Sequence, residues 1–222
     1  MNNLSLENIT LALANSSEIL GKDKYLNSAV LVPIVELDNK FHFLFEKRAN
    51  HIRQGGEVSF PGGEFDLKKD QGLRQTALRE TTEELGIPSE KIKIIGKVGT
   101  LVAPMGVTVD AFVCQLLIQS LEELKIDSNE VEKVFVVPIE HFLKKKPEEY
   151  SVKLEVHPSY VDEKGKHIEL LPVQKLGLPE RYSKPWKNGI HRVLVYNSTE
   201  EVIWGITAEI IFELCRMITS VK

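Results

Sequence analysis

Three glutamates and one arginine occupy the segment TALRETTEELGI, residues 76 to 87. If residues 71 to 85 form a helix, Glu80, Glu83 and Glu84 fall within an arc of about 100° on one side of it. Like charges at this spacing repel one another, and more strongly when they are partly buried. A divalent cation would reverse that cost, because Mg²⁺ and Mn²⁺ prefer carboxylate and phosphate oxygens. The pattern therefore predicts either a metal site or a solvated acidic face.

The segment that leads into this helix favours the metal site. GGEVSFPGGEF, residues 55 to 65, contains four glycines and a proline. It predicts a loop whose backbone bends tightly or approaches the site closely. Asp70 is a candidate N-cap, and Gly86 followed by Pro88 predicts the end of the helix. Arg79 lies beside the acids and can hold one carboxylate through a bidentate pair.

Stretches rich in valine, isoleucine and phenylalanine predict the strands that must position this helix. Residues 38 and 39, Asp-Asn, predict a hairpin turn, and residues 156 to 173 predict a second hairpin with DEKGK as its turn. Apolar residues at helical spacing predict helices over residues 4 to 20 and 206 to 221. The longer strands are predicted at residues 28 to 37, 40 to 48, 91 to 103, 107 to 118 and 133 to 139.

These elements predict one mixed α/β (α+β) domain over residues 1 to 222, in which a mixed β-sheet is sandwiched between helices. We expect residues 1 to about 24 to form an N-terminal helical extension.

The composition limits the classes of partner. The net charge of −4 does not favour a nucleic-acid-binding domain, and no run reaches the ~18 apolar residues of a membrane span. Cys114 and Cys215 are predicted to be buried free thiols, which fits a reducing compartment. The opening residues MNNLSLENIT lack the basic start of a signal peptide. We therefore expect a cytoplasmic protein that binds neither nucleic acid nor membrane.

The segment RETTEELGI, residues 79 to 87, resembles the second half of the Nudix box, G-x5-E-x7-R-E-U-x-E-E-x-G-U, where U is bulky and apolar. Gly63 matches the first glycine, although it lies sixteen residues before Arg79, two more than the pattern gives. The position eight before Arg79, which has glutamate in the pattern, is Gln71, so no role is carried onto Gln71. Thr81 occupies an apolar position of the pattern.

The segment ahead of the box, residues 43 to 66, is similar to the coenzyme A pyrophosphatase branch of that family, roughly L-L-T-x-R-S-x(4)-R-x3-G-x3-F-P-G-G. Arg48, Arg53 and the FPGG stretch fit this pattern. Two departures are plain: Glu46 replaces a threonine, and the spacing from Arg53 to Gly56 is one residue short. Residues 145 to 190 match poorly, which predicts an insertion.

The resemblance implies a Nudix fold and a hydrolase in which water attacks a phosphorus atom of a nucleoside diphosphate derivative, with Mg²⁺ or Mn²⁺ as cofactor. It implies that Glu80, Glu83, Glu84 and the carbonyl of Gly63 are metal ligands. Arg79 would orient the glutamates, and Glu83, Glu84 and Arg79 form the predicted catalytic set. One glutamate could serve as general base instead, and the resemblance does not fix which.

Residues outside the box complete the prediction. Arg48 and Arg53 are candidate contacts to substrate phosphates, because a guanidinium pairs bidentately with phosphate; the alternative is a structural ion pair. Glu130 is a further candidate for the base, and the alternative is a charged residue that opens a strand.

The implied substrate is coenzyme A or an acyl-coenzyme A, cleaved to 3',5'-ADP and 4'-(acyl)phosphopantetheine. Two alternatives stay open: a pyrophosphatase for ADP-ribose or another nucleoside diphosphate derivative, and a non-catalytic nucleotide-binding module. The partner is thus a small molecule, and a homodimer is left open.

Overall fold

The structure is a computed structural model that describes residue 10 and residues 19 to 220, apart from the side chains of residues 187 and 188. The helix predicted over residues 4 to 20 lies almost wholly outside the described residues and stays a prediction. The main sheet consists of β1 (Leu26–Leu37), β2 (Lys40–Arg48), β3 (Val58–Ser59), β4 (Gly62–Glu64), β5 (Ile92–Ala103), β6 (Val107–Leu116) and β7 (Val131–Pro138).

The main sheet is mixed, as predicted. Its central path runs β3-β2-β1-β6-β5, with β4 paired to β1 and β7 paired to β2. β1 and β6 are parallel, whereas the other pairs are antiparallel. Asp38 and Asn39 join β1 to β2 with φ values of 51° and 59°, the left-handed conformation that a two-residue hairpin turn requires. This turn confirms the first predicted hairpin.

Helices cover both faces of this sheet. They are α1 (Leu73–Leu85), α2 (Ile139–Lys144) and α3 (Gly205–Ser220). Because side chains alternate along a strand, neighbouring residues of β1 serve different cores. Leu31 packs in the cluster that includes Leu85 of α1, while Val32 packs in the cluster that includes Phe142 of α2 and Ile211 of α3. The predicted sheet between helices is therefore confirmed.

A second sheet and a small hairpin follow α2 in the chain. β8 (Glu148–Val156), β11 (Trp186–Asn197) and β12 (Val202–Trp204) form a sheet in the order β12-β11-β8. β9 (Ser159–Val161) and β10 (His167–Glu169) pair across residues 162 to 166, which confirms the DEKGK turn. That residues 145 to 190 are an insertion, and that the chain is one domain, stay predictions. Over the described ranges, no helix has the length and apolar character needed to cross a membrane.

The ends of α1 differ in how well they were predicted. Gly86 closes the helix with φ of 58°, and a Cβ there would lie 2.0 Å from the carbonyl oxygen of Lys125; glycine is therefore required on two grounds. The predicted start of the helix was wrong. The helix begins at Leu73, directly after Gly72, and Asp70 does not cap it. The carboxylate of Asp70 instead binds a side chain two turns further along.

Candidate active site

Arg79 joins the loop before α1 to the acids of the helix. Its Nε and Nη2 donate to Oδ1 and Oδ2 of Asp70 at 2.8 and 2.9 Å. Its Nη1 lies 2.7 Å from Oε1 of Glu80 and 3.0 Å from Oε2 of Glu83. The bidentate pair predicted for Arg79 is thus made with Asp70, and a single guanidinium fixes three carboxylates.

Asp70 is almost fully buried and fully engaged by donors. The hydroxyl of Thr76 and the backbone N–H of Asp66 also donate to its Oδ2, at 2.9 and 3.1 Å. Hydrogen bonds from Arg79 hold the pKa of Asp70 well below its ordinary value, in spite of burial. The same contact raises the pKa of Arg79. The pair is therefore ionised at every pH at which the protein would work.

Three glutamates converge beside this pair. Glu80 and Glu84 on α1 and Glu130, directly before β7, each place one carboxylate oxygen within 4.8 Å of the others. Glu84 is buried, Glu80 is partly buried and Glu130 is exposed. Burial raises the pKa of Glu80, and burial followed by the charge of Glu46 raises the pKa of Glu84. Three acids therefore share one small region, and Arg79 contacts one of them, Glu80.

The glycine-rich loop reaches this cluster through its backbone. The N–H of Gly62 donates to Oε2 of Glu84 at 2.8 Å. Gly63 lies so close to Glu80 that a Cβ would sit 2.5 Å from the Cδ of that glutamate. Any larger residue at position 63 would displace Glu80. The role of the Gly63 carbonyl as a ligand stays a prediction.

Glu46 is a further buried acid near Glu84, and no pattern in the sequence predicted it at this site. It lies on β2 opposite Ser59 of β3, whose hydroxyl donates to its Oε1 at 2.9 Å. The residue is 0% exposed, and burial raises its pKa, although Ser59 and Arg48 act in the opposite direction. Glu46 and Glu84 thus form a second buried pair, this one of two acids.

A cleft of about 650 Å³ opens beside the acids, with Arg79 and Glu80 in its wall. The rest of the lining comes from residues 25 to 27 at the start of β1 and residues 64 to 69 of the loop before α1. The lining includes the aromatic residues Tyr25 and Phe65 and the cationic residues Lys68 and Lys69. The cleft can hold a ligand of nucleotide size next to the carboxylate cluster.

The predicted site residues do not all lie in the same place. Glu83 contacts Arg79, but its side chain is 56% exposed and it is not a member of the three-acid cluster. Arg48 lies near the buried acids, with Nη1 3.9 Å from Oε1 of Glu46, and its Nε donates to the carbonyl of Arg53 at 3.3 Å. Arg53 is exposed in the loop after β2. The ligand and phosphate-binding roles of these three residues stay predictions.

Sequence reasoning missed two residues of this site. The Nudix pattern places its first glutamate eight residues before the arginine, and Asp70 lies nine residues before Arg79. An acid displaced by one position was therefore the feature that could have pointed to Asp70. Glu46 appeared only as a departure from a threonine. The other departure, Thr81, is fully buried, and its hydroxyl donates to the carbonyl of Ala77 at 2.7 Å. Because this hydrogen bond within the helix satisfies the hydroxyl, a threonine can be buried at a position that is apolar in the pattern.

The donor set fits a divalent cation. Three carboxylate oxygens within 4.8 Å of one another offer the hard ligands that Mg²⁺ and Mn²⁺ take, usually together with phosphate oxygens and water. The cluster contains neither the histidine nor the cysteine that would favour zinc.

Comparison with known families decides the assignment. Residues 26–158, more than half of the chain, match the model of the NUDIX domain. The chain belongs to the Nudix family of hydrolases. Nudix hydrolases generally use divalent metal ions, which agrees with the cluster at Glu80, Glu84 and Glu130.

Individual Nudix relatives cover the chain to different extents. It is 36% identical over 147 residues to Nudix hydrolase 3 of Caenorhabditis elegans, covering 63% of this chain and 60% of the relative. It is 30% identical over 198 residues to the uncharacterized Nudix hydrolase NudL of Photorhabdus laumondii, covering 88% and 87%. It is 33% identical over 127 residues to the human mitochondrial coenzyme A diphosphatase NUDT8, covering 56% and 53%. The chain thus spans less than two thirds of the C. elegans and human proteins.

Proposed function

We propose that this protein is a Mg²⁺- or Mn²⁺-dependent diphosphatase that cleaves coenzyme A or an acyl-coenzyme A. The products would be 3',5'-ADP and 4'-phosphopantetheine or its acylated form. The observation that carries the reaction class is the convergence of Glu80, Glu84 and Glu130 beside a cleft of about 650 Å³ whose wall includes Glu80. The substrate is supported by the pattern around Arg48 and Arg53 and by a relative named as a coenzyme A diphosphatase.

In this proposal the carboxylates of Glu80, Glu84 and Glu130 hold the metal. A bound divalent cation neutralises charge on the phosphoryl oxygens and helps to position the attacking water. Arg79 keeps Glu80 in place, and Asp70 keeps Arg79 in place, because each contact is a charge-assisted hydrogen bond. The positions of the cluster's carboxylates therefore depend on Arg79 and Asp70, which do not belong to the cluster.

The remaining residues serve the substrate. Arg48 lies beside the buried acids and would pair with a diphosphate oxygen once substrate is bound. The Gly62–Gly63 backbone allows a phosphate to approach the cluster without a side chain in the way. The cleft beside Arg79 would receive one of the two groups that flank the diphosphate.

A substrate panel tests this function. Purified protein would be given coenzyme A, acetyl-coenzyme A, ADP-ribose, NADH and a diadenosine polyphosphate with Mg²⁺ or Mn²⁺, and the products would be separated by chromatography. We expect coenzyme A to give 3',5'-ADP, with activity lost in Glu84→Gln and retained in Glu90→Gln, an exposed acid after α1.

The panel separates the alternatives. Brisk cleavage of ADP-ribose without turnover of coenzyme A would overturn the substrate but keep the metal-dependent diphosphatase. Failure to cleave any diphosphate with either metal would overturn the enzyme and favour a nucleotide-binding module.

A further inference from the structure

Glu46 lies on β2 at a position whose side chain faces an apolar core. Along β2, Phe43 and Phe45 face the core that contains α2 and α3, whereas Leu44 faces the core that contains α1. Because side chains alternate along a strand, Glu46 follows Leu44 on the α1 side. It is 0% exposed. A carboxylate therefore stands where the alternation of β2 predicts a hydrophobic residue.

The protein supplies partners for only one of its two oxygens. Oε1 accepts a hydrogen bond from Ser59 and lies 3.9 Å from Nη1 of Arg48. Oε2 is buried and has no hydrogen-bond partner among the described residues. A buried carboxylate that is not fully paired is costly, because water can no longer solvate it. For stability alone, a small neutral residue would be the better choice here.

The neighbour of Glu46 increases this cost. Its carboxyl group interacts with that of Glu84, which is itself 2% exposed. Two buried acids in contact repel one another when both are ionised. Glu84 is also the buried member of the Glu80–Glu84–Glu130 cluster. Glu46 is thus in contact, through Glu84, with the acids assigned to the metal.

We propose that Glu46 is a further carboxylate ligand of the divalent cation site and that it acts together with Glu84. Carboxylate oxygens are what Mg²⁺ and Mn²⁺ take from proteins, and a bound cation converts the repulsion between the two acids into attraction. Ser59 orients the ligand by holding Oε1, so that Oε2 is left for the metal. The inference rests on the metal site proposed above and extends it to a residue on the sheet.

Titration of metal-free protein with Mn²⁺, without substrate, tests this assignment by calorimetry. We expect Glu46→Gln, which keeps the shape of the side chain, to weaken Mn²⁺ binding at least about tenfold. Glu132→Gln removes a partly exposed acid from neighbouring β7 and should bind Mn²⁺ as the wild type does. Should Glu46→Gln not fold, Glu46→Thr introduces a smaller residue that suits a strand.

The variants separate the two proposals. If Glu84→Gln weakens Mn²⁺ binding while both variants at Glu46 bind within twofold of the wild type, the role of Glu46 is overturned and the metal site stands. If Glu84→Gln also leaves binding unchanged, the metal site and the inference fall together. Weaker binding in the variants at both positions supports both.

Thermal melting distinguishes a ligand from a structural residue. Without metal, Glu46→Gln should melt at the same temperature as the wild type or higher, because it removes a buried like-charge contact. With saturating Mn²⁺, its gain in Tm should be smaller than that of the wild type by about 3 to 5 °C. A variant that melts lower without metal and gains as much from Mn²⁺ would overturn the assignment.

Discussion

Two buried acids with opposite surroundings lie near the ends of helix α1: Asp70 in the loop before it and Glu84 in its last turn. At the N-terminal end, Asp70 meets Arg79 in a bidentate ion pair. Near the C-terminal end, Glu84 meets Glu46, a second acid. Hydrogen bonds from Arg79 lower the pKa of Asp70, whereas burial, followed by the charge of Glu46, raises the pKa of Glu84. Donors of the protein itself satisfy Asp70, whereas Glu84 faces a second acid, and this contrast separates the end that we regard as structural from the end to which we assign the metal.

Glu84→Gln gives the largest expected effect and tests the chemical end. Removal of a metal-binding carboxylate should lower kcat/KM about a thousandfold, because several kcal/mol of stabilisation of the transition state depend on the metal. The metal-free variant should be no less stable than the wild type, since a buried repulsion is relieved. Steady-state kinetics and thermal melting of the same preparations measure both. Loss of stability together with loss of activity would contradict the contrast between the two ends.

Asp70→Asn tests the structural end. It removes the bidentate, ionised partner of Arg79 and leaves that guanidinium with only Glu80 and Glu83, and we expect the free energy of unfolding to fall by about 3 kcal/mol. Urea denaturation measures this change. Asp66→Asn is the matched control from the same loop, because its carboxylate accepts only a local backbone hydrogen bond from Lys68 among the contacts described. A loss below about 1 kcal/mol for Asp70→Asn would show that the pair is not the anchor of α1.

Glu130→Gln has a smaller expected effect. Glu130 completes the cluster from the start of β7, but it is exposed, so that water can replace its oxygen on a cation. We expect about a tenfold fall in Mn²⁺ affinity, well below the effect of Glu84→Gln. A calorimetric titration without substrate measures it. An unchanged affinity would make Glu130 a charged residue that merely opens a strand.

The pH dependence of stability concerns both ends of α1. The lowered pKa of Asp70 adds stability that is complete above about pH 4 and is lost as pH falls through the folded pKa. The raised pKa of Glu84 has the opposite sign: the folded state holds the proton more strongly, so stability falls as pH rises from about 4 through the folded pKa. Between pH 5.5 and 7.5 Asp70 should contribute no slope, whereas Glu84 should contribute, and so should Glu46, whose pKa burial raises to about 7.

We therefore expect the metal-free protein to lose up to about 1.4 kcal/mol of stability per pH unit between pH 5.5 and 7.5 more than Glu84→Gln does. Denaturant titrations at the two pH values measure the difference. The comparison with the variant removes the contribution of His141, whose pKa is lowered by burial and which titrates in both proteins. Equal slopes in the two proteins would show that Glu84 is not held protonated by its surroundings.

Local patterns explain which parts of the fold were predictable. The Asp38–Asn39 turn, the alternation of the strands and the Gly86 stop each depend on residues adjacent in the chain. The start of α1 was wrong for the complementary reason. Asp70 has the side chain of an N-cap, but a guanidinium nine residues later binds it more strongly than the helix N-terminus does.

The sequence by itself determined the family, the helix that carries the acids and the glycine loop that meets them, because the spacing of 79 to 87 is a property of one continuous segment. Only the tertiary structure decided which acids meet. Helical geometry alone grouped Glu83 with Glu80 and Glu84, yet the fold leaves Glu83 exposed. It brings Glu130, directly before β7, to the other two acids and sets Glu46 of β2 against Glu84. Distances between elements depend on strand pairing and core packing, and no local spacing contains them.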